Sequence, residues 1–108
     1  MSARLTKDAS IWRLLGELAD RLDAHGFQVV DHWDADLFSI GIARVDAPER
    51  LVYVSTYRQP AGRYAYECEE PDGEQEYEVT GRADGVILDH LVEIIRAHLS
   101  LNNGSPQG

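Results

Sequence analysis

Residues 63–80 read RYAYECEEPDGEQEYEVT. Tyrosines and other apolar residues alternate with acids on either side of Glu70-Pro71-Asp72-Gly73. This predicts two strands, 63–70 and 74–80, closing a hairpin around a turn rich in residues suited to bends. Alternate side chains of a strand face opposite ways, so Tyr64, Tyr66 and Cys68 share one face, as do Tyr77 and Val79. Pairing Tyr66 with Tyr77 brings these sets together, and a slip of one residue would turn a whole strand over. The same register places Glu67 opposite Glu76 and Glu69 opposite Glu74. Glu67, Glu69, Glu74, Glu76 and Glu78 then occupy the other face of the hairpin. Like charges facing each other across strands destabilise a sheet by about 0.2–1 kcal/mol per pair.

The chain before this hairpin continues the pattern. Ile11, Leu14, Leu15, Leu18 and Leu22 recur at helical spacing and predict a helix over 8–25. Thr6 or Asp8 caps its start, Gly26 stops it, and Trp12 covers one edge of its apolar stripe. Strands are expected over 27–33, 37–45 and 50–58, separated by turns at 34–36, 46–49 and 59–62. In the second strand Phe38, Ile40 and Ile42 lie on one face, and the small residues Ser39, Gly41 and Ala43 on the other. After the hairpin, Leu88, Leu91, Val92, Ile95 and Leu99 fall on one face of a second helix, with Asp84 expected as its N-cap. Arg96 and His98 suit the negative end of its dipole. Every link between strands is too short for a parallel crossover. The expected fold is α+β: an antiparallel five-stranded meander with an N-terminal and a C-terminal helix covering one face and leaving the other open. One domain spans residues 1–101, and 102–108 read as a disordered tail.

Of the 108 residues, 19 are acidic and 10 basic, a net charge of −9. Residues 67–78 hold seven of the acids and no base, leaving twelve acids against ten bases in the rest of the chain. This balance argues against nucleic-acid phosphates or an anionic membrane as partners. A single cysteine excludes an internal disulfide framework and a multi-cysteine zinc site. Residues 1–8 lack the apolar core of a secretory signal, and no stretch approaches the roughly 20 apolar residues of a membrane span. A cytoplasmic location is the expectation.

No catalytic signature stands out, and neither cofactor nor metal is expected. Asp31, His32, Asp34 and Asp36 form the most metal-like group, but they straddle a strand end and a turn, where Asp is common. His90 and His98 lie roughly 12 Å apart along their helix, too far to share an ion. His90 with Asp89 or Glu93 reads as solvated helix surface. Cys68 follows two inward tyrosines and reads as a buried, inert thiol. Glu67 and Glu76 facing each other resemble a glycosidase carboxylate pair only in spacing, without the deep cleft such chemistry needs. Arg44, Arg58 and Arg63 border turns and are candidates to pair with the acids. The acidic block thus has two readings: a solvated hairpin that discourages edge-to-edge aggregation, or a docking surface for a basic partner.

The stretch 51–71, LVYVSTYRQPAGRYAYECEEP, followed by a tyrosine-bearing strand and a Leu/Ile-rich helix, resembles small bacterial immunity proteins. Those proteins neutralise the toxin domains of contact-dependent or type VI systems. The resemblance covers about residues 37–99 and rests on pattern and size. It implies a non-catalytic inhibitor of a basic protein, acting by occlusion, as a monomer or homodimer. Glu67, Glu69, Glu74, Glu76 and Glu78 would supply charge, and Tyr53, Tyr57 or Trp33 an aromatic anchor. Two alternatives are a type III secretion-type chaperone and a phage anti-CRISPR inhibitor that mimics nucleic-acid charge. The chaperones place a helix between their third and fourth strands, for which Gln59-Pro60-Ala61-Gly62 leaves no room.

Overall fold

The computed structural model describes residues 7–23, 25–30, 37–72 and 76–101. The chain order is α1 (Ala9–Arg21), β1 (Phe27–Val30), β2 (Ser39–Arg44), β3 (Ala47–Ser55), β4 (Arg63–Asp72), β5 (Glu76–Ile87) and α2 (Leu88–Leu99). The five strands form one antiparallel sheet in the order β1-β2-β3-β4-β5. This is the α+β meander expected from the short links. Among the described residues no helix is long and apolar enough to cross a membrane.

Helix α1 begins directly after Asp8, whose backbone is extended. The Asp8 carboxylate accepts from the Ser10 amide (3.0 Å) and the Ser10 hydroxyl (2.7 Å), satisfying a backbone donor that the first turn leaves open. The helix ends at Arg21, four residues short of the expected stop. Leu22 turns extended yet stays fully buried, and the Asp23 carboxylate accepts from the His25 amide. This local bond gives the backbone an alternative to another helical turn. Trp12 is exposed, not laid over the edge of the stripe as expected.

Ile11, Leu14, Leu18 and Leu22 of α1 join Leu91, Val92, Ile95 and Leu99 of α2 in one core. The sheet supplies Ile40, Ile42, Val52, Val54, Tyr64, Tyr66 and Cys68 to it. These sheet residues alternate along their strands, so both helices cover the same face. Burying a Leu- or Ile-sized side chain contributes about 1.5–3 kcal/mol, which makes this layer the main source of stability.

Asp84 does not cap α2. It lies within β5, whose ladder with β4 runs on to Arg63 opposite Ile87, so the helix starts at Leu88 without a side-chain cap. At the other end Ser100 takes a left-handed conformation (φ 55°), and the Leu101 amide returns to the Arg96 carbonyl (3.0 Å). Arg44 reaches from β2 to donate to the Leu99 (3.0 Å) and Ser100 (2.6 Å) carbonyls. A strand arginine thus meets the negative end of the helix dipole, beside Arg96 and His98 of the last turn.

The hairpin register also differs from expectation. The ladder ends with Asp72 opposite Glu76, and Tyr66 stands opposite Ala83, not Tyr77. Glu67 faces Arg82, Cys68 faces Gly81, Glu69 faces Val79, Glu70 faces Glu78 and Asp72 faces Glu76. Two irregularities, at Tyr64/Tyr66 and at Cys68/Glu69, break the strict alternation that the sequence reading assumed. Gly81, Ala83 and Val86 therefore stand opposite the inward Cys68, Tyr66 and Tyr64, while Val79 is 38% exposed. Pro71 fits inside β4 because the β3 ladder has already ended at Leu51 opposite Glu69. A residue without an N–H is tolerated where a strand has one neighbour.

Candidate partner-binding surface

The face of the sheet away from the helices carries a cross-strand row: Gly41 of β2, Tyr53 of β3, Glu67 of β4 and Arg82 of β5. A parallel row holds Ala43, Leu51, Glu69 and Val79. Exposure rises across these rows. Ser39, Gly41 and Ala43 are buried, Tyr53, Glu67 and Glu69 are half-buried, and Arg82 is exposed. The small-residue stripe of β2 is therefore not an approach surface. Gly41 and Ala43 stand directly beside Tyr53 and Leu51, and short side chains between taller neighbours are screened from water.

At the β4–β5 side a shallow cup of about 330 Å³ is lined by Tyr53, Ala65, Glu67, Arg82, Ala83 and Asp84. It combines an aromatic and an aliphatic wall with two carboxylates and one guanidinium. Such a lining suits a side chain with an apolar stem and a polar end.

Beyond Glu69, β4 has only β5 as a neighbour. In this two-stranded ribbon Glu70 stands opposite Glu78, and the ladder continues to Asp72 opposite Glu76. The facing acids expected from the sequence are thus present, but between different residues. They also do not share one face. Glu67 and Glu69 lie on the outer face, whereas Glu70 and Glu78 lie on the helix-covered side, because Glu70 follows the inward Cys68 by two residues. The expected five-glutamate face is corrected accordingly.

Arg50 offsets part of this charge. Its Nη2 donates to Glu70 Oε1 (2.6 Å), while Nη1 reaches the His98 carbonyl (3.5 Å). His98 Nε2 donates in turn to the Glu69 carbonyl oxygen (3.0 Å). These bonds fasten the root of the ribbon to the end of α2. Glu78 is exposed and has no ion-pair partner among the described residues. Of the arginines bordering turns, Arg44 pairs with Asp46, while Arg58 and Arg63 pair with no acid among the described residues.

The aromatic candidates separate. Tyr53 is the direct cross-strand neighbour of Glu67 and belongs to the same surface. Tyr57 is 54% exposed, follows β3 at its far end, and packs against Phe38 (ring centroids 5.8 Å apart). Four strand steps, about 13 Å, separate Leu51 opposite Glu69 from the end of β3 at Ser55, and Tyr57 lies beyond it, so Tyr57 does not belong to the acidic surface. Trp33 and Glu74 lie outside the described residues, as do Asp31, His32, Asp34 and Asp36. Arg50 and Arg82 were missed as members of this surface. The Arg-Ala-Asp-Gly-Val-Ile run at 82–87 alternates as a strand does, and reading it that way would have found Arg82.

Chemistry is sparse here. Burial, and then the nearby Glu70 charge, push the Cys68 thiol up to about 11, which keeps it protonated near neutral pH. His90 is exposed, with its ring 6.3 Å from that of Tyr66. Among the described residues no group of three or more His, Cys, Asp and Glu side chains is arranged to hold a metal ion. Comparison of the chain with protein families, with curated proteins and with solved structures finds no match.

Proposed function

We propose that this chain is a non-catalytic binding protein that docks a basic protein partner through the acidic β4–β5 ribbon and the adjoining outer face. The single observation that carries this reading is the like-charged rung of Glu70 opposite Glu78. Like charges facing each other disfavour a hairpin by about 0.2–1 kcal/mol, Arg50 offsets this only in part, and the rung does not build the core. A basic partner would convert that repulsion into attraction and accelerate encounter by electrostatic steering. Tyr53 beside Glu67 offers an aromatic anchor, and the cup around it suits a lysine or arginine side chain. The pattern resemblance favours a bacterial toxin domain as the partner and occlusion of its active site as the mechanism. The direct turn from β3 to β4 departs from the secretion-chaperone pattern.

The test is affinity capture from the producing cell, followed by binding measurements with the purified partner. A variant with Glu67, Glu69, Glu76 and Glu78 changed to Gln should keep its circular dichroism spectrum. It should bind at least about tenfold more weakly, with a smaller salt dependence between about 50 and 300 mM salt. Unchanged affinity and salt dependence would reject the acidic surface as the docking site.

A further inference from the structure

At the opposite end of β4 the chain gathers positive charge. A groove of about 390 Å³ lies between the start of α1 and the turn joining β3 to β4, and its lining includes Arg13, Arg58, Arg63, Ser10, Thr56 and Asp8. Arg21, Arg44, Arg50 and Arg96 are each ion-paired with a carboxylate. Arg13, Arg58 and Arg63 are not ion-paired among the described residues. In a chain with 19 acids and 10 bases, three such arginines around one groove are a concentration of charge that needs a reason. We propose that this groove is an oxyanion site that takes a compact ligand bearing two or more negative charges, of the phosphate-ester or pyrophosphate class.

The groove is built so that its one carboxylate is engaged elsewhere. Asp8 Oδ2 accepts from both the amide and the hydroxyl of Ser10. Because the Ser10 hydroxyl hydrogen points to Asp8, the Thr56 hydroxyl donates to Ser10 Oγ across 2.7 Å. That chain of bonds ties the turn to α1 and holds Asp8 as a helix cap. The groove keeps an excess of two positive charges.

Two of the arginines are positioned by groups that leave their charge intact. Arg63 Nη1 donates to the Gly85 carbonyl (2.9 Å), leaving its other N–H donors available. The Arg58 guanidinium carbon lies 5.3 Å from the centre of the Tyr57 ring, and that ring packs on Phe38. Arg58 holds this place with a φ of 57°, a left-handed conformation that is strained for an L-residue other than Gly, Asn or Asp. Arg13 comes from the helix, Arg58 from the turn and Arg63 from the strand. Three forks from three elements suit the tetrahedral distribution of phosphate oxygens better than a planar carboxylate. The volume falls in the range of small-ligand sites.

The experiment is isothermal titration calorimetry of the full chain with pyrophosphate at low salt. One saturable site is expected, with a Kd of roughly 10 μM to 1 mM. Arg13→Gln should weaken it about fivefold or more. Arg58→Gly should do the same while relieving the left-handed strain, so its loss of binding cannot be assigned to unfolding. Arg21→Gln, which removes an exposed arginine from the far end of α1, should change the affinity by less than about twofold. No saturation up to about 10 mM pyrophosphate overturns the proposal. Affinity retained in Arg13→Gln and Arg58→Gly, or lost equally in Arg21→Gln, also overturns it. Equal affinity for succinate would overturn the phosphate class.

Discussion

Cys68 illustrates how a residue's chemistry is decided by its strand position. Two residues after Tyr66 and four after Tyr64, it shares their inward face and is 6% exposed. Removing water from around the sulfur disfavours the thiolate, and the Glu70 carboxylate nearby adds repulsion. With its pKa at about 11, the thiolate fraction at pH 8 is about 0.1%, against roughly a quarter for a free cysteine. Iodoacetamide should therefore modify Cys68 about a hundredfold more slowly in the native protein than in guanidinium, as read by mass spectrometry over time. Equal rates would mean that the strand does not hold the thiol inward. This position was legible in the sequence, since it depends only on the alternation Tyr64, Tyr66, Cys68.

The elements were legible to different degrees. The helices announced themselves through apolar spacing, and the α1 cap through Asp8. The Asp8 carboxylate is held below its usual 3.8 mainly by the Ser10 hydroxyl, then by the Ser10 amide. A folded-state pKa below the unfolded one means stabilisation that is present above pH 3.8 and lost as pH falls through the folded value. Asp8→Ala should thus lower the thermal midpoint by a few degrees at pH 7, and the gap from wild type should narrow as the pH falls below 3.8. Asp8→Asn, which keeps an N-cap oxygen, should retain most of the midpoint at pH 7. A gap that persists unchanged at low pH would contradict the cap.

The hairpin was harder to read. Its existence followed from two alternating runs around a turn, but its register depended on two irregularities, at Tyr64/Tyr66 and Cys68/Glu69, whose local signals are the strand glycines Gly85 (φ 66°) and Gly81 and not the alternation. The inward positions of β5 went to Gly81 and Ala83 because they stand beside Cys68 and Tyr66 under α2. That choice is made by packing between distant segments, which alternation alone does not reveal. The same reason hid the Asp84 error, since the ladder extends to Ile87 and takes up backbone that would otherwise have joined a helix. Among the described acidic candidates, Glu67 and Glu69 thus lie on one face of the ribbon and Glu78 on the other.

Across the whole molecule, β4 runs from Arg63, at the arginine-lined groove, to Asp72, in the acidic ribbon. Nine strand steps separate these ends by about 30 Å. The net charge of −9 is therefore a sum over a chain with a basic end and an acidic end. A partner approaching from a distance meets a dipole as well as a net charge, and long-range steering favours presenting basic surface to the ribbon. The central claim is that the like-charged rung of Glu70 and Glu78 is kept for binding at the expense of the hairpin's own stability. The most direct measurement is Glu78→Lys, read by both denaturant unfolding and partner affinity. Replacing an exposed acid that faces Glu70 removes a like-charge rung, so stability should rise by about 0.2–1 kcal/mol while partner affinity falls at least about tenfold. Lower stability together with unchanged affinity would contradict the account.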